Sequence, residues 1–436
     1  MNEITSTNFF ETEYIDFSVY DNVRKIASYI DGFKNAQRKV VYTLLETNCN
    51  SFTKVSNLGP RIQDFAQYLH GSLEGGVVNM TQDYPTSGNN IPMLIGDGNF
   101  GSRFIPQPAA SRYIFAKSSP IVDKIFQKED NVNLKHQKFE GDSIEPLYYM
   151  PIIPLILANQ QEGMSIGFAQ KILPRNPKEL IKWVKQKAEG KRITAKMTPW
   201  WEGQDFTVEQ GETELQWVIK GTFRRDSQTK LTVTSLPVGY DLKGYHKVLD
   251  KLVDDKVIRD YDDLSDEDVF NFEISVGREF VKLPDDKILE KLKLVKRITE
   301  NFTCVDENNK VAQFKNARDV LESWWEKRLQ YNQLKKEYII KKTQQEINEA
   351  EVVKWFIDGV INNTIVIQNK SEKQIVDSVD KNKDKIPELL KLPMRRLTKE
   401  EIKKLADKIK QLKTVLASTK KLSLENITLN DLDKIS

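Results

Sequence analysis

The stretch from residue 96 to residue 115 decides the fold of the first third of this chain. It reads GDGNFGS at 96–102 and AASRYIF at 109–115, with PQP at 106–108 between them. Glycine and proline at this density mark turns and loops. Because short helical patterns precede the stretch, we expect a small α+β module such as a winged helix.

Two helices are predicted upstream of this stretch. Asn35 is a candidate N-cap for the first, in which Val40, Val41, Leu44 and Leu45 share one face. The second is expected to begin after Ser72. In the first helix, Arg38 and Lys39 occupy the initial turn, which is the unfavourable end of the helix dipole for cations. Such residues are either solvated or placed to meet a phosphate.

The middle of the chain has the alternation typical of strands. Residues 215–220 and 230–236 are rich in β-forming side chains, and 245–256 is an amphipathic helix, so an α/β or α+β domain is expected. Trp200 and Trp201 are interpreted as a packing anchor in preference to a stacking platform. The acidic run at 262–268, DDLSDED, lacks the glycine and glutamate spacing of a calcium loop and is interpreted as a solvated turn.

From Asn316 onward, lysine, glutamate and leucine dominate, and Asn316 is a good N-cap. A stripe close to heptad spacing predicts a long helix packed on a partner helix; its members are Val320, Trp324, Tyr331, Leu334 and Tyr338. A second long helix is predicted from Lys399 to about Ser418. Together the two helices predict an antiparallel arm with an insertion at its far end.

The overall composition limits the class of protein. The 436 residues correspond to about three domains. The 66 lysines and arginines against 63 aspartates and glutamates give a net charge of +3, which excludes a uniformly basic protein of the histone kind. A local basic surface stays compatible with this balance, because DNA binding depends on where the charges lie. Basic residues concentrate at 34–39 and 103–112.

Cysteine and histidine are too rare for several classes of site. The two cysteines exclude a disulfide framework and a cysteine-rich zinc site, and three scattered histidines exclude a histidine-rich metal cage. The acidic N-terminus lacks a signal-peptide core, and the longest apolar stretch, 150–158, is short and contains two prolines. We therefore expect a soluble protein of a reducing compartment.

The dipeptide Arg112-Tyr113 is the strongest candidate for chemistry. A tyrosine beside an arginine in a glycine-rich neighbourhood suits a nucleophile next to a cation that stabilises charge, although this dipeptide is common. Neither a catalytic triad nor a phosphate-binding glycine loop is evident. The segment EGDSI at 140–144 is close to the TOPRIM signature EGDSA, but it lacks the second acidic motif and is interpreted as a loop.

The sequence GNFGS followed by AASRY resembles the active-site segment of type IIA DNA topoisomerases, the family of the gyrase A and topoisomerase IV A subunits and their phage relatives. The resemblance runs from about Tyr14 to about Leu412. In overall length and in the place where it ends, the sequence looks most like the medium subunits of T4-type phages. Further matching segments are DGFKNAQRKVVY at 31–42, YLHG at 68–71, FEGD at 139–142 followed by Pro146, Pro151, Pro154 and Asn159, SLP at 235–237, and Leu390, Leu397, Thr398 and Leu405.

The resemblance implies a multidomain α+β architecture. Residues 1–151 would form an N-terminal segment and a winged-helix cleavage domain, 152–300 an α/β tower domain, and 301–436 a coiled-coil arm with a helical dimer gate. The implied activity is ATP-driven passage of one DNA duplex through a transient double-strand break in another. A homodimer closed through the arm would work with an ATPase/TOPRIM partner that binds ATP and Mg²⁺, in the cytoplasm of a bacterial host.

The resemblance also implies roles for single residues. Tyr113 aligns with the tyrosine that becomes linked to the 5′ phosphate of DNA, Arg112 with a cation beside it, and His70 with a histidine near the scissile phosphate. Because a phenol is mostly protonated at neutral pH, a base or a cationic field must assist the attack. The DNA-binding residues implied are Lys34, Arg38, Lys39 and Arg103, together with Met164 in place of an isoleucine that wedges between base pairs.

Five positions depart from the family pattern; they are Ile30, Gln37, Ile95, Leu73 and Val77. The last two occupy the places where bacterial subunits have the serine and the acid that anchor quinolones, so poor quinolone sensitivity is predicted.

Two other classes of protein are left open. One is a non-enzymatic dimeric winged-helix DNA-binding protein with a coiled-coil arm. The other is a tyrosine recombinase, although the arginine and histidine constellation of that class is not evident and its tyrosine leaves a 3′ linkage.

Overall fold

The computed structural model describes residues 5–266 and 269–435. Internal contacts divide the chain into two compact units. Unit 1 comprises the residues up to Arg328 together with those from Thr428 onward, and unit 2 comprises Leu329–Ile427. Within the described ranges, no helix has both the length and the apolar character needed to cross a membrane.

The first part of unit 1 combines helices with a small antiparallel sheet. The helices are α1 (Ser6–Glu11), α2 (Glu13–Lys25), α3 (Asn35–Thr47), α4 (Val55–Phe65) and α5 (Glu74–Thr81). The strands are β1 (Thr53–Lys54), β2 (Leu94–Asp97) and β3 (Phe115–Ser118), with β3 in the centre. The expected mixture of short helices and strands is therefore present. Strand β2 lies in the stretch that sequence composition assigns to turns, and α4 and β1 were not predicted.

Helix α3 begins at Asn35 itself, whereas an N-cap at Asn35 would place the first helical residue at position 36. Lys34 is the N-cap, and its backbone N–H donates to Gln37 Oε1 at 2.9 Å. The prediction of Asn35 as the cap was wrong because the Gln37 side chain already satisfies the N-cap amide. The start of α5 was predicted well: the N–H of Glu74 donates to Ser72 Oγ at 3.1 Å.

Two β-hairpins and three short helices follow. They are α6 (Pro120–Ile125), α7 (Lys128–Asn131), β4 (His136–Phe139), β5 (Asp142–Pro146), α8 (Leu155–Ala158), β6 (Gln161–Ser165) and β7 (Phe168–Ile172). Glu140 and Gly141 form the two-residue turn between β4 and β5, with φ of +50° and +98°. Positive φ at both positions is what a tight hairpin turn requires, so the EGDSI segment is a turn and the start of a strand.

The middle of unit 1 contains two further antiparallel sheets. Their strand orders are β14-β9-β8 and β10-β11-β13-β12. The strands are β8 (Thr207–Gln210), β9 (Gln216–Lys220), β10 (Thr222–Arg225), β11 (Lys230–Ser235), β12 (Asp260–Asp263), β13 (Phe272–Ser275) and β14 (Val295–Thr299). The helices are α9 (Pro177–Ala188), α10 (Leu242–Asp254), α11 (Arg278–Val281) and α12 (Asp285–Lys291). Both predicted strands and the predicted helix are present, displaced by at most three residues.

Packing in this region agrees with the alternation of its sequence. Leu231 and Val233 of β11 are fully buried against Tyr245 and Leu249 of α10. Trp201 is fully buried in a neighbouring apolar cluster, as a packing anchor should be. Of the acidic run at 262–268, Glu267 and Asp268 lie outside the described residues.

The last hairpin of unit 1, β15 (Phe302–Val305) and β16 (Val311–Phe314), leads into the long helix α13 (Ala317–Ile361). Asn316 Oδ1 accepts hydrogen bonds from the N–H groups of Arg318 and Asp319 at 3.0 and 3.1 Å. Asn316 is therefore the N-cap that the sequence predicted.

Unit 2 is an antiparallel pair of long helices with smaller helices beyond them. Its further elements are α14 (Glu372–Asp377), 3₁₀ turns at Lys383–Lys385 and Met394–Arg396, α15 (Ile386–Leu389) and α16 (Lys399–Lys421); α17 (Leu424–Leu432) follows. Lys336 Nζ donates to Leu422 O at 2.6 Å, and Lys413 Nζ donates to Glu351 Oε1 at 2.7 Å. From the first contact to the second, the residue number rises along α13 from 336 to 351 and falls from 422 to 413 on the α16 side. The helices α13 and α16 are therefore antiparallel, as predicted.

The apolar contact between α13 and α16 differs from the predicted stripe. It uses residues from Ile340 onward, including Ile347 and Ile357, which meet Leu405 and Ile409. Among the predicted members, Val320 and Trp324 are fully buried within unit 1, and Leu334 is 40% exposed. The predicted register was wrong because a heptad pattern does not distinguish burial against a domain from burial against a partner helix.

Candidate active site

Tyr113 lies in the turn that leads into β3, the central strand of the small sheet. Its backbone N–H donates to Ala110 O at 2.8 Å, and the neighbouring Ile114 is fully buried. The side chain of Tyr113 is 65% exposed. Buried Ile114 anchors the backbone here, and the neighbouring Tyr113 presents its hydroxyl to solvent.

The glycine-rich loop before Tyr113 depends on its glycines. Gly101 has φ +97°, and a Cβ atom there would lie 2.5 Å from Pro106 O. A Cβ atom on Gly96 would lie 2.5 Å from the Phe100 ring. The loop is closed by a hydrogen bond from Ala109 N to Asn99 O at 2.9 Å. These close approaches explain why the loop contains glycine at these positions.

Arg112 places a cation beside the Tyr113 ring. Its guanidinium carbon lies 5.0 Å from the centre of the Tyr113 ring, and both side chains are exposed. This cation–π distance keeps a permanent positive charge beside the phenol. A phosphate that approached the Tyr113 hydroxyl would therefore meet this charge.

His70 lies in a small aromatic cluster. Its Nε2 atom shares a hydrogen bond with the Tyr20 hydroxyl of α2. The ring centres of Tyr20 and Tyr68 lie 5.6 and 5.8 Å from that of His70. The histidine is exposed, but its ring is held by two neighbours. Tyr20 was not identified from the sequence, because it precedes His70 by 50 residues and carries no motif.

Arg38 and Lys39 lie inside unit 1 and are 4% and 6% exposed. Arg38 forms a two-point ion pair with Asp31, with Nε–Oδ2 and Nη2–Oδ1 distances of 2.7 and 3.1 Å. Lys39 Nζ donates to Glu145 Oε2 at 2.7 Å and to a backbone carbonyl. The sequence predicted either a solvated charge or a phosphate contact at these positions. The structure shows a third arrangement, in which buried carboxylates neutralise both cations.

Lys34 and Arg103 are also engaged within the protein. Lys34 Nζ donates to Glu162 O at 2.6 Å, and burial lowers the pKa of the Lys34 ammonium. Arg103 pairs with Asp205 at 2.5 Å, donates to Leu236 O at 2.6 Å and packs on aromatic rings. Each side chain therefore already has acceptors within the protein.

Met164 lies near the tip of the β6–β7 hairpin, where it pairs across the ladder with Ala169. Its side chain is 79% exposed, and Phe168 at the same tip is 37% exposed. Large apolar side chains at the end of a hairpin are available for contact with another molecule. Of the predicted DNA-binding residues, Met164 is the most accessible.

The positions that depart from the family pattern are mostly apolar and internal. Ile30, Leu73 and Val77 are at most 2% exposed. Leu73 precedes α5 as its N-cap, and Val77 lies within that helix. These two side chains offer neither a hydroxyl nor a carboxylate at the surface.

Acidic and sulfur-containing side chains are dispersed. Within residues 5–266 and 269–435, no three histidine, cysteine, aspartate or glutamate side chains are grouped so that they could hold a metal ion. Cys49 and Cys304 are both buried free thiols, and burial raises the pKa of Cys304 to about 12.

Relatives among known proteins share most of this sequence. The profile of the family that comprises the A subunits of DNA gyrase and topoisomerase IV matches residues 24–433. The DNA topoisomerase medium subunit of Enterobacteria phage T4 is 31% identical over 419 residues, which are 92% of this chain and 91% of that protein. The mitochondrial DNA topoisomerase 2 of Dictyostelium discoideum is 28% identical over 87% of this chain, which spans only 30% of the length of that relative.

A solved structure shows the same fold. The Plasmodium falciparum topoisomerase II DNA-binding, cleavage and re-ligation domain matches with a TM-score of 0.86 and 27% identity, covering 98% of this chain and 63% of that chain. The resemblance inferred from the motifs is confirmed over nearly its whole length. This chain therefore belongs to the family of the DNA gyrase and topoisomerase IV A subunits.

Proposed function

We propose that this chain is the breakage-and-rejoining subunit of a type IIA DNA topoisomerase, with Tyr113 as its nucleophile. The observation that carries the proposal is an exposed tyrosine that follows a glycine-dependent loop, with the guanidinium of Arg112 5.0 Å from its ring. Membership of the family supports this role, and so does the likeness to a DNA-binding, cleavage and re-ligation domain.

The reaction exchanges one phosphodiester for another. The Tyr113 oxygen attacks a backbone phosphorus, the bond from phosphorus to the 3′ oxygen breaks, and the phenol proton is transferred away while the 3′ oxygen gains a proton. The products are a 5′-phosphotyrosyl link and a free 3′ hydroxyl, so no water is consumed. Attack by that hydroxyl reverses each step and reseals the strand. The same reaction in the second strand of a homodimer would open a double-strand gate.

The neighbouring residues are assigned separate tasks. Arg112 stabilises the extra negative charge on the five-coordinate phosphate. His70 hydrogen-bonds the phosphate or relays a proton, and Tyr20 positions its ring. Met164 inserts between base pairs and bends the bound duplex, since an apolar wedge needs no particular branching.

The basic residues taken from the resemblance are assigned differently. Burial and pairing support a structural role for Arg38 and Lys39, which hold α3 against Asp31 and Glu145. Lys34 and Arg103 remain proposed contacts, but each would have to exchange a protein acceptor for a phosphate. DNA contact through this part of the chain therefore rests mainly on Arg112 and Met164.

The proposed architecture follows the family. Helices α3 to α5 with the β1-β3-β2 sheet are assigned to the winged-helix cleavage domain of residues 1–151. The two middle sheets belong to a tower domain of residues 152–300. Residues 301–436 form a coiled-coil arm that closes a homodimer gate, and its antiparallel helices α13 and α16 support this assignment.

ATP and Mg²⁺ are assigned to an ATPase/TOPRIM partner chain, one or several, in a heterotetramer or larger complex. The contribution proposed for this chain itself consists of the side chains named above. Its location in the cytoplasm of a bacterial host stays a prediction from the resemblance.

The decisive experiment is capture of the covalent complex. The chain is mixed with its partner, Mg²⁺ and a duplex labelled at either the 3′ or the 5′ end, and the reaction is stopped with denaturant. A 5′-phosphotyrosyl link transfers only the 3′ label to the protein, and Tyr113→Phe abolishes the transfer. The variant Tyr68→Phe, which alters another tyrosine of the same region, should retain it.

The other outcomes identify the alternatives. Transfer of the 5′ label would indicate the 3′ linkage of a tyrosine recombinase. Absence of any adduct, combined with undiminished DNA binding by Tyr113→Phe, would support a non-enzymatic DNA-binding protein.

A further inference from the structure

The two units of the chain differ in charge. Unit 2, residues 329–427, contains 21 lysines and arginines against 14 aspartates and glutamates, a net charge of +7. The remaining residues contain 45 against 49, a net charge of −4. The excess positive charge therefore lies in the helical unit and not in the unit that contains Tyr113.

Helix α16 carries most of this excess. It has eight lysines and three acidic residues, and its last fourteen residues, 408–421, contain five lysines and no aspartate or glutamate. A helix that is merely solvated gains stability from acidic residues four positions away from its lysines. Their absence here leaves like charges next to one another, which disfavours the isolated helix.

Three lysines of α16, two of them in this acid-free segment, form one face. Lys403, Lys410 and Lys421 are separated by seven and eleven residues, close to two and three helical turns, so they share one side of α16. All three are exposed. Lys410 and Lys421 line an open depression on this side of the helix, together with small side chains such as Ala406 and Ala417. We call this surface the α16 lysine face.

The α16 lysine face keeps its charge in the described part of the chain. Among the residues that the structure describes, the lysine of this helix that pairs with a carboxylate is Lys413, which meets Glu351 at 2.7 Å. The apolar side of α16, with Leu405 and Leu416, is buried against α13, and Ile409 of the same side forms the edge of the depression. The face therefore combines exposed ammonium groups with room for close approach.

We propose that the α16 lysine face binds the phosphate backbone of a DNA duplex, as a second DNA site distinct from the cleavage site in unit 1. Lys403 to Lys421 spans about 27 Å at 1.5 Å per residue, a length over which B-DNA carries about 16 phosphates. Small residues between the lysines let the helix approach the backbone closely. The inference rests on the proposed function in one respect: the ligand is the second duplex of a strand-passage reaction.

The test uses the full-length Tyr113→Phe chain, which binds DNA without cleaving it. Affinity for a fluorescent duplex is measured by anisotropy at salt concentrations from about 50 to about 200 mM. In the triple variant Lys403→Gln, Lys410→Gln and Lys421→Gln, we expect the slope of log K against log salt to fall by about 2.7, or about 0.9 for each lost phosphate contact.

Helix α10 offers a matched control. Lys243, Lys247 and Lys251 are exposed at successive four-residue steps on that helix. Their replacement by glutamine removes the same charge from unit 1 and should leave the slope unchanged. Equal slopes for the two triple variants would overturn the proposal. The proposal would also be overturned if the triple α16 variant lost binding to a polyglutamate peptide but bound duplex DNA as tightly as the parent chain, because the face would then bind an acidic partner.

A crosslinking measurement locates the DNA. Since both native cysteines are buried, a cysteine introduced at exposed Ala417 can carry a photoactivated crosslinker. Val415 is also exposed but lies about 130° around the helix from the α16 lysine face. We expect a DNA crosslink from Ala417→Cys and none from Val415→Cys; equal yields would contradict the assignment.

Failure of this inference can be distinguished from failure of the proposed function. In the chain that retains Tyr113, the triple α16 variant should form the covalent adduct at the normal rate and should lose only ATP-dependent decatenation with the partner. If the unaltered chain forms no adduct, the proposed function is rejected, but the binding measurements still test the second DNA site. Normal decatenation by the triple variant would reject the second site.

Discussion

Replacement of Arg38 by glutamine distinguishes a structural residue from a DNA contact. In the structure, the Arg38 guanidinium meets both oxygens of Asp31 and donates to Phe33 O at 3.1 Å. Asp31 is fully buried and also accepts from the N–H of Tyr149 at 3.0 Å. Arg38→Gln would leave the Asp31 carboxylate inside the protein without its cation.

The expected cost is large because the unpaired charge cannot reach water. Breaking a buried ion pair by removing one partner costs about 3–5 kcal/mol, which is a factor of about 10² to 10⁴ in the unfolding equilibrium. A lost phosphate contact would instead leave the unfolding equilibrium unchanged and lower the salt slope of DNA binding by about 0.9. The two roles therefore predict opposite results in two measurements.

The unfolding measurement is a urea titration followed by tryptophan fluorescence, since six of the seven tryptophans lie in unit 1. Arg61→Gln, an exposed arginine on the neighbouring α4, serves as the control and should change the free energy of unfolding by less than about 0.5 kcal/mol. The double variant Asp31→Asn with Arg38→Gln removes both charges, keeps a side-chain oxygen that can accept from the Tyr149 N–H, and should recover part of the loss. An unchanged unfolding midpoint for Arg38→Gln, with a salt slope reduced by about one, would refute the structural assignment.

Four further outcomes follow from exposure and contacts. Arg112→Gln should slow adduct formation by about 10² to 10³ without changing the unfolding midpoint, because the side chain is exposed; a rate equal to that of the parent would contradict its role. Tyr20→Phe removes the hydroxyl that meets His70, so ¹⁵N NMR should show an altered tautomer ratio of that ring, and an unaltered ratio would exclude positioning by Tyr20. Met164→Ala should reduce the bend of a bound duplex, measured by energy transfer between its ends, while unchanged transfer would remove Met164 as the wedge. Burial raises the pKa of Cys304 to about 12, so a thiol reagent at mildly alkaline pH should label this residue only after unfolding; labelling of the native protein would contradict its burial.

Sequence periodicity was sufficient where structure is determined by neighbours along the chain. The cap at Asn316 needs only the backbone amides two and three residues further along the chain, and α16 and β11 are evident from regular apolar spacing. The same local information places Tyr113 after a turn-rich loop. It assigns no chemistry to Tyr113, and the proposed nucleophilic role came from the resemblance to a family.

Residues whose partners lie far along the chain were beyond such reasoning. Lys39 is paired with Glu145, 106 positions away, and neither residue type signals the other. The short strand β1 has two residues and exists only because β3 pairs with it. Tyr20 contacts His70 for the same non-local reason. Spacing within one helix or strand contains no information about such contacts.

The burial of basic residues changes how the charge balance should be understood. Besides Arg38 and Lys39, unit 1 buries Arg175 against Glu300 and Arg328 against Asp130, with all four of these side chains at most 1% exposed. Each of these buried pairs is neutral, so burial leaves the net charge of unit 1 at −4 but removes four basic side chains from those that could meet a phosphate.

Because non-specific affinity for DNA depends on the number of phosphates that basic groups neutralise, unit 1 should hold a duplex weakly at physiological salt. Firm retention of DNA then requires positive charge from another source, and the α16 lysine face is one such source within this chain. A partner chain is the other. Adding the partner should therefore raise the salt slopes of the parent and of the triple α16 variant by the same amount, because the partner adds the same phosphate contacts to both. The difference between the two slopes should stay unchanged if the α16 lysine face binds its own duplex, and its disappearance would contradict that assignment.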